Sequence, residues 1–280
     1  MLLKFKTKNY KSFVEEASFS MVAAPKQKGL DYSLMKTKIK GKEIKGLSSS
    51  VIYGPNAAGK TNIIGAMDVL RSIVLRGNIR NSEEKSSPNP AASALELIPN
   101  NNESEPKPVC FEIEFYEEDG EEHKFKIHYE LQIDLGTFLE EEYQRKILAE
   151  VLEVNGERVF ERREGLKVEN LKVIKDYLSD ITEQNAESIN EIAKNSLNQE
   201  ELFLTNGFKL IFSPKFTKLI VDWFANKFMV IYRADSMQLI KRFADPKKKA
   251  VYVEKTTDEA AKLFGINSNT VGYVVSDDEP

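Results

Sequence analysis

At 280 residues the chain is long enough for a sizeable core and for one or two domains. Its 41% hydrophobic and 30% charged content excludes a disordered chain, and a net charge of −4 gives no bulk attraction to nucleic acid or anionic membrane. A single cysteine, Cys110, excludes an intramolecular disulfide, points to a reducing compartment, and reads as a strand residue rather than a nucleophile. The start Met1-Leu-Leu-Lys-Phe-Lys6 is charged where a signal sequence needs an apolar run, and Asp222, Asn226 and Lys227 interrupt the most apolar later stretch. A cytoplasmic protein with no membrane span is the expectation.

In chain order, residues 2–9 alternate Leu3, Phe5, Thr7 against Lys4, Lys6, Lys8, a half-buried strand with a basic outer face. Asn9-Tyr-Lys-Ser12 reads as a turn, residues 17–22 as a second strand, and residues 25–46 as a polar, Lys-rich connection. The next stretch, Ser48 to Asn62, fits the phosphate-loop (Walker A) pattern G-x-x-x-x-G-K-[ST] with Gly54, Gly59, Lys60 and Thr61 in place. A triphosphate is surrounded well by backbone N–H groups at a helix N-terminus. Glycines turn the chain and keep side-chain bulk away, a lysine supplies a point charge for the β/γ-phosphates, and a threonine hydroxyl ligates Mg²⁺. Val51-Ile52-Tyr53 before the loop predicts a buried strand, and Ile63, Ile64, Met67, Leu70, Ile73 and Val74 after it predict a helix ending at Arg76-Gly77. Strand, glycine loop and amphipathic helix together predict a nucleotide-binding site.

The strand at the N-terminus, the segment Asn9-Tyr-Lys-Ser-Phe13, a second strand and then Tyr53-Gly-Pro-Asn-Ala-Ala-Gly-Lys-Thr-Asn62 resemble the ATPase heads of the RecF/SMC branch of the ABC superfamily. Within that branch the chain is most similar to the stand-alone ATPases of abortive infection and of the OLD (overcoming-lysogenization-defect) type. The resemblance covers residues 1–76 best, and Ala57 stands where many relatives carry glycine. It implies an α/β P-loop NTPase fold of ABC type: an ATP-binding N-terminal lobe with a mixed or antiparallel β-subdomain over 1–170, a helical insertion over 171–245, and the start of a C-terminal lobe over 246–280. It further implies ATP and Mg²⁺ as cofactors, bound by Gly54, Asn56, Ala57, Ala58, Gly59, Lys60, Thr61 and Asn62. Thr61 would be the metal ligand, and Tyr10, Lys11 and Ser12 would lie beside the nucleotide.

Residues 78–108 read as a loop or mobile insertion. Alternation and an Asp-Gly signal make a hairpin of residues 109–116 and 123–133, and Asn155-Gly156 joins a further hairpin of 146–154 with 158–162. Glu112 and Glu114 share a strand face as a metal pair would, but no third ligand lies nearby in sequence, and a solvated face is the reading. His123 and His128, five apart, fall on opposite faces of a regular strand, and Glu140 to Glu142 read as solvated. Leu171, Ile174, Leu178 and Ile181 mark one helix, and Ile189, Ile192 and Leu197 a second. Ser213-Pro214 opens a third, whose aromatic stripe Phe216, Trp223, Phe224 reads as core. Residues 229–232 predict a strand, Lys247 to Lys249 a basic turn, and Thr256-x-x-Glu259 a short capped helix ended by Gly265.

Heads of this branch also use a signature motif and an apolar strand ending in Asp-Glu. The run from Val274 to Glu279 resembles that strand only superficially, so no catalytic residue is assigned and the chain reads as the first lobe of a longer or split ATPase. The leading expectation is an ATP-binding protein of anti-phage defence, forming an ATP-bridged homodimer or head-to-head assembly with a nuclease or C-terminal-lobe partner. The alternatives are a RecF/SMC-like repair ATPase on duplex DNA and a non-hydrolysing nucleotide-binding interaction protein.

Overall fold

A computed structural model describes residues 1–24, 29, 31–39, 41–80, 95–100, 107–120, 123–136, 143–179, 186–195, 197–230, 250–252 and 272–274. The chain divides into two compact units, Met1–Tyr232 and Arg233–Pro280. The first unit is mixed α/β and rests on a seven-stranded sheet. Its strands are β1 (Leu2–Lys8), β2 (Ala17–Ser20), β5 (Val109–Asp119), β6 (His123–Asp134), β7 (Lys146–Val154), β8 (Glu157–Arg162) and β9 (Leu166–Val168). Their order is β2-β1-β5-β6-β7-β8-β9 and every neighbouring pair is antiparallel. Alternation dictates this: Phe111, Ile113 and Phe115 on β5 and Ile127, Tyr129 and Leu131 on β6 are fully buried, while the residues between them are half-exposed. The β7–β8 turn uses Asn155 and Gly156, both at positive φ (55° and 83°), the conformation that a two-residue hairpin twist requires.

Two helices cover the apolar face of the sheet: α1 (Lys60–Arg76) and α3 (Pro214–Asn226). The α1 stripe Ile63, Met67, Leu70, Ile73, Val74 is buried at helical spacing, and Gly77 ends the helix in the left-handed conformation with its N–H on Ile73 O. For α3, the Ser213 hydroxyl accepts from Phe216 N and Pro214 fills the first turn, so the helix starts where the sequence predicts. Its aromatic stripe is core: Trp223 stacks on Phe115 with ring centroids 3.9 Å apart, and Phe228 stacks on Trp223 at 5.0 Å. The Arg71 Nε donates to Phe224 O at 2.9 Å, so α1 satisfies an orphan carbonyl at the end of α3.

Between the short α2 (Ala186–Asn195) and α3 the chain makes a π-helix, Phe203–Phe208, that no periodicity in the sequence announced. It is held by a fully buried carboxylate. Glu150 on β7 accepts from Phe203 N (2.6 Å), Leu204 N (2.9 Å) and the Tyr129 hydroxyl (2.9 Å), with Arg162 Nη1 3.9 Å away. Gly207 is required here, because a Cβ on it would lie 2.3 Å from Phe203 Cδ2.

Several expectations are corrected. The connection 25–46 contains a two-stranded ribbon, β3 (Leu34–Ile39) with β4 (Lys42–Leu47), because Thr37, Ile39 and Ile44 supply one apolar-leaning face between the lysines. Val51-Ile52-Tyr53 is not a buried strand. It pairs with no strand among the described residues, and Val51 and Tyr53 are 82% and 90% exposed, since an apolar run becomes a buried strand only where flanking strands accept its backbone. The helix expected from Leu171 is a 3₁₀ segment, Leu171–Tyr177, broken at Ile174 (φ −124°, ψ 25°) with Leu178 already extended; β-branched Val173 and Ile174 favour that break. Leu197 lies past the end of α2, and Met229 and Val230 are in no strand. The insertion 78–108 is packed where described: Leu95 and Leu97 are buried, and Lys11 N donates to Ile98 O.

In the second unit β10 (Ala250–Tyr252) pairs antiparallel with β11 (Gly272–Val274). The expected features at Ile181, Glu140 to Glu142, Lys247 to Lys249, Thr256 to Gly265 and Asp277 to Glu279 lie outside the described residues. Among the described residues no helix is long and apolar enough to cross a membrane.

Candidate nucleotide-binding site

The site is built where the β1–β2 turn meets the start of α1. Gly59 stands at the helix N-terminus with φ 82°, no side chain caps the helix, and its first turn holds no acid, so the helix presents its unpaired N–H groups and positive dipole end to an incoming anion. Gly59 is also the point of closest approach. A Cβ there would lie 2.9 Å from Phe13 Cε1 and 3.3 Å from Ser12 Oγ. The same turn is tied to the helix by Asn62 Nδ2, which donates to Ser12 Oγ at 2.7 Å. Residues Gly54 to Ala58 and Thr61 are exposed, which leaves the loop amides and the Thr61 hydroxyl open. Ala57 holds φ 63°, a left-handed conformation that costs an alanine about 1–2 kcal/mol and explains why glycine suits this position.

Lys60 Nζ donates to Gly54 O (2.8 Å) and Pro55 O (2.6 Å), curling over the loop it would share with phosphates. Exchanging two neutral carbonyls for charged phosphate oxygens strengthens those bonds, so this curl does not oppose binding. Lys11 is placed differently from Ser12. Its ammonium pairs with Glu96 Oε2 at 2.8 Å and its carbonyl accepts from Asn100 Nδ2, which ties the turn to residues 96–100. Tyr10 is fully buried and donates to Glu96 O. The structure thus brings Ser12 and Phe13 to the loop, while Tyr10 and Lys11 anchor the turn from behind. Phe13 carries no motif and its role was not readable from sequence.

Beside the loop runs a groove of about 390 Å³ lined by Phe13, Phe19, Tyr53, Lys60 and Ile63 among others. Among the described residues no Asp or Glu lines it. The donor set fits a nucleotide triphosphate with Mg²⁺: amides and one lysine for phosphates, one hydroxyl for a cation that takes few protein ligands and keeps waters.

A scan against family models matches residues 49–226, more than half of the chain, to the family described as "AAA domain, putative AbiEii toxin, Type IV TA system". The chain belongs to this family. An AAA domain of this kind is a P-loop NTPase of the ATP-binding ATPase type, and the match begins just ahead of the phosphate loop and ends with α3. No curated protein and no solved structure matches the chain.

Away from the loop, the register of the AAA-domain sheet brings in a residue that sequence spacing hid. Glu114 pairs directly with His128 across β5 and β6, and ligand atoms of Glu112, Glu114 and His128 lie within 4.8 Å of one another. The third partner that the linear sequence lacked comes from the neighbouring strand. Both carboxylates are already engaged by lysines, Glu112 by Lys6 at 3.0 Å and Glu114 by Lys126 at 2.7 Å, so the face is an ion-paired one. The His128 ring, with Lys126, holds the Glu114 carboxyl down at about 2. Burial pulls the imidazole of His128 down, but Glu114, Glu112 and Glu153 outweigh it and raise it above its usual value. His123 sits elsewhere, 3.3 Å from Asp176. Burial raises the Cys110 thiol to about 11, which makes it an inert strand residue.

Proposed function

We propose that this chain is the ATP-binding lobe of a switch ATPase of the abortive-infection or OLD-like type, which takes ATP with Mg²⁺ and assembles head to head through the bound nucleotide. The observation that carries the reading is the docking of the Ser12-Phe13 turn onto Gly59 and Asn62 of an uncapped phosphate-loop helix. The loop amides from Asn56 to Gly59 and the Lys60 ammonium would hold the phosphates, and the Thr61 hydroxyl would hold Mg²⁺. Bound Mg²⁺ would bridge phosphate oxygens and neutralise their charge. Phe13 and Ile63 would close the loop against water on the groove side. A nuclease partner in anti-phage defence belongs to this reading.

With no carboxylate lining the groove among the described residues, none of them is placed to orient an attacking water at the loop, so the chain should bind ATP well and turn it over slowly. A missing transition-state cation alone lowers such rates by about 10³–10⁵. Single-turnover hydrolysis and sedimentation velocity test this together. The expected result is ATP-dependent association with turnover far below about 1 s⁻¹. Turnover near that rate, lost in Lys60→Ala, would show an overlooked internal base, and an unchanged monomer with saturating ATP would remove the assembly.

A further inference from the structure

The turn that carries Ser12 and Phe13 to the phosphate loop is strained. Asn9 (φ 53°) and Lys11 (φ 48°) both hold the left-handed conformation, one residue apart. Asparagine tolerates that conformation, but lysine has no short polar group to bond locally and rarely adopts it. Backbone of this kind persists only where its surroundings over-determine it. The contacts that hold Asn9 and Lys11 therefore set where the next two residues point.

Those contacts come from residues 95–100, which Leu95 and Leu97 fix in the core. Both backbone polar groups of Lys11 are bonded to this segment. Its N–H donates to Ile98 O at 2.9 Å, and its carbonyl accepts from Asn100 Nδ2 at 2.6 Å. Asn100 N donates to Asn9 O at 3.1 Å, so this one residue grips both left-handed positions. Glu96 acts twice: its carboxylate pairs with the Lys11 ammonium at 2.8 Å, and its carbonyl accepts from the buried Tyr10 hydroxyl at 3.2 Å. The Lys11 side chain is only 13% exposed, so this pair is better shielded than a surface ion pair. The turn then meets the loop through its next two residues, with Asn62 Nδ2 on Ser12 Oγ and the Phe13 ring against Gly59. No residue from 95 to 100 lines the groove beside the loop, so the segment acts on the site only through the turn.

We propose that residues 95–100 are a positioning strap for the nucleotide site, with Glu96 and Asn100 as the positioning residues. Held by the strap, the left-handed pair Asn9 and Lys11 aims Ser12 and Phe13 at Asn62 and Gly59. Released, Lys11 relaxes to an ordinary backbone conformation, which re-aims the two residues after it and undocks them from the loop. A segment that does not touch the nucleotide is thereby coupled to the loop that holds it. Such coupling is reciprocal, so ATP steadies the strap as the strap steadies the loop. This role rests on the nucleotide reading of the loop, and its test separates the two.

The test pairs amide hydrogen exchange on the full chain without nucleotide with calorimetric titration of ATP and Mg²⁺. In Glu96→Gln/Asn100→Ala the amides of Lys11, Phe13 and, across the contact, Asn62 should exchange about tenfold faster, while the β6 amides keep their rates. The same variant should bind ATP about tenfold more weakly. In a Ser12→Ala/Phe13→Ala background the two strap substitutions should change ATP affinity by less than about twofold, since the strap has lost what it aims. General destabilisation would give the same loss in both backgrounds and would speed exchange in β6 as well. Asn100→Asp, which keeps the shape and loses the donor to Lys11 O, takes the place of the double variant if that variant does not fold. Unchanged exchange at Asn62, unchanged ATP affinity in a folded variant, or equal losses in the two backgrounds would overturn the strap. An intact chain that binds no ATP would overturn the nucleotide reading instead, and exchange at Asn62 alone would then decide whether the strap holds the loop.

Discussion

Replacing Gly59 by alanine tests the geometry at the heart of the site. The backbone there holds φ 82°, which costs a residue with a Cβ about 1–2 kcal/mol. The new Cβ also meets Phe13 Cε1 at 2.9 Å, Phe13 Cζ at 3.0 Å and Ser12 Oγ at 3.3 Å. Overpacking costs about 1–3 kcal/mol, and because the ring is only half-buried and can swing outward the lower end, about 1 kcal/mol, applies. The two contributions give about 2–3 kcal/mol. If the loop escapes the strain by changing shape, the native shape must be restored on binding, which weakens ATP affinity by about 30- to 150-fold. Calorimetric ATP titration, with thermal unfolding alongside, reads both outcomes. The decisive comparison repeats Gly59→Ala in a Phe13→Ala background. There only the backbone strain remains, so the cost should shrink by about 1 kcal/mol. Costs equal in the two backgrounds would refute the packing of the β1–β2 turn on the phosphate loop.

Glu150→Ala should destabilise the fold by about 3–5 kcal/mol in urea unfolding, because it leaves the Phe203 and Leu204 N–H groups, the Tyr129 hydroxyl and the Arg162 charge without their shared acceptor. A loss below about 1 kcal/mol would show that the π-helix does not depend on this carboxylate. The Glu112–Glu114–His128 face should make stability pH-dependent on two sides. Glu114, held down at about 2 against an ordinary 4.5, contributes stability present above pH 4.5 and lost as pH falls towards 2. His128, raised above 6.5, contributes stability present below pH 6.5 and lost as pH rises through its folded value. Unfolding midpoints measured across pH 3–9 should therefore fall at both ends, and His128→Gln should remove the alkaline fall and shrink the acid one, leaving on that side the part that Lys126 supports.

Much of this architecture is legible in the sequence because local signals and tertiary environment agree. The α1 stripe from Ile63 to Val74, the Asn155-Gly156 turn, the Ser213-Pro214 cap and the alternation along β1 and β5 to β8 each specify one structure and are found in it. The failures share a cause, which is dependence on partners distant in sequence. Val51 to Tyr53 looks like a core strand, but burial depends on neighbouring strands that composition cannot supply. His128 joins Glu112 and Glu114 only through strand register. Lys36 to Lys45 reads as a polar connection because the lysines mask the alternation of Thr37, Ile39 and Ile44. Glu150 gives no sign in sequence that it is a buried cap. At the candidate site the loop residues declare themselves by motif. Phe13 does not, because its role lies in its distance to Gly59.

Calorimetric titration of ATP with Mg²⁺ into the intact chain and into Lys60→Ala tests the nucleotide site most directly. The Lys60 ammonium bonds to the loop carbonyls Gly54 O and Pro55 O, outside the buried core, so the variant should fold normally, with unchanged emission from the buried Trp223. The intact chain should bind ATP and the folded variant should lose that binding, since it has lost the lysine proposed to meet the β- and γ-phosphates. Equal ATP affinity in the intact chain and in a folded Lys60→Ala variant would contradict the assignment of this loop as the nucleotide site.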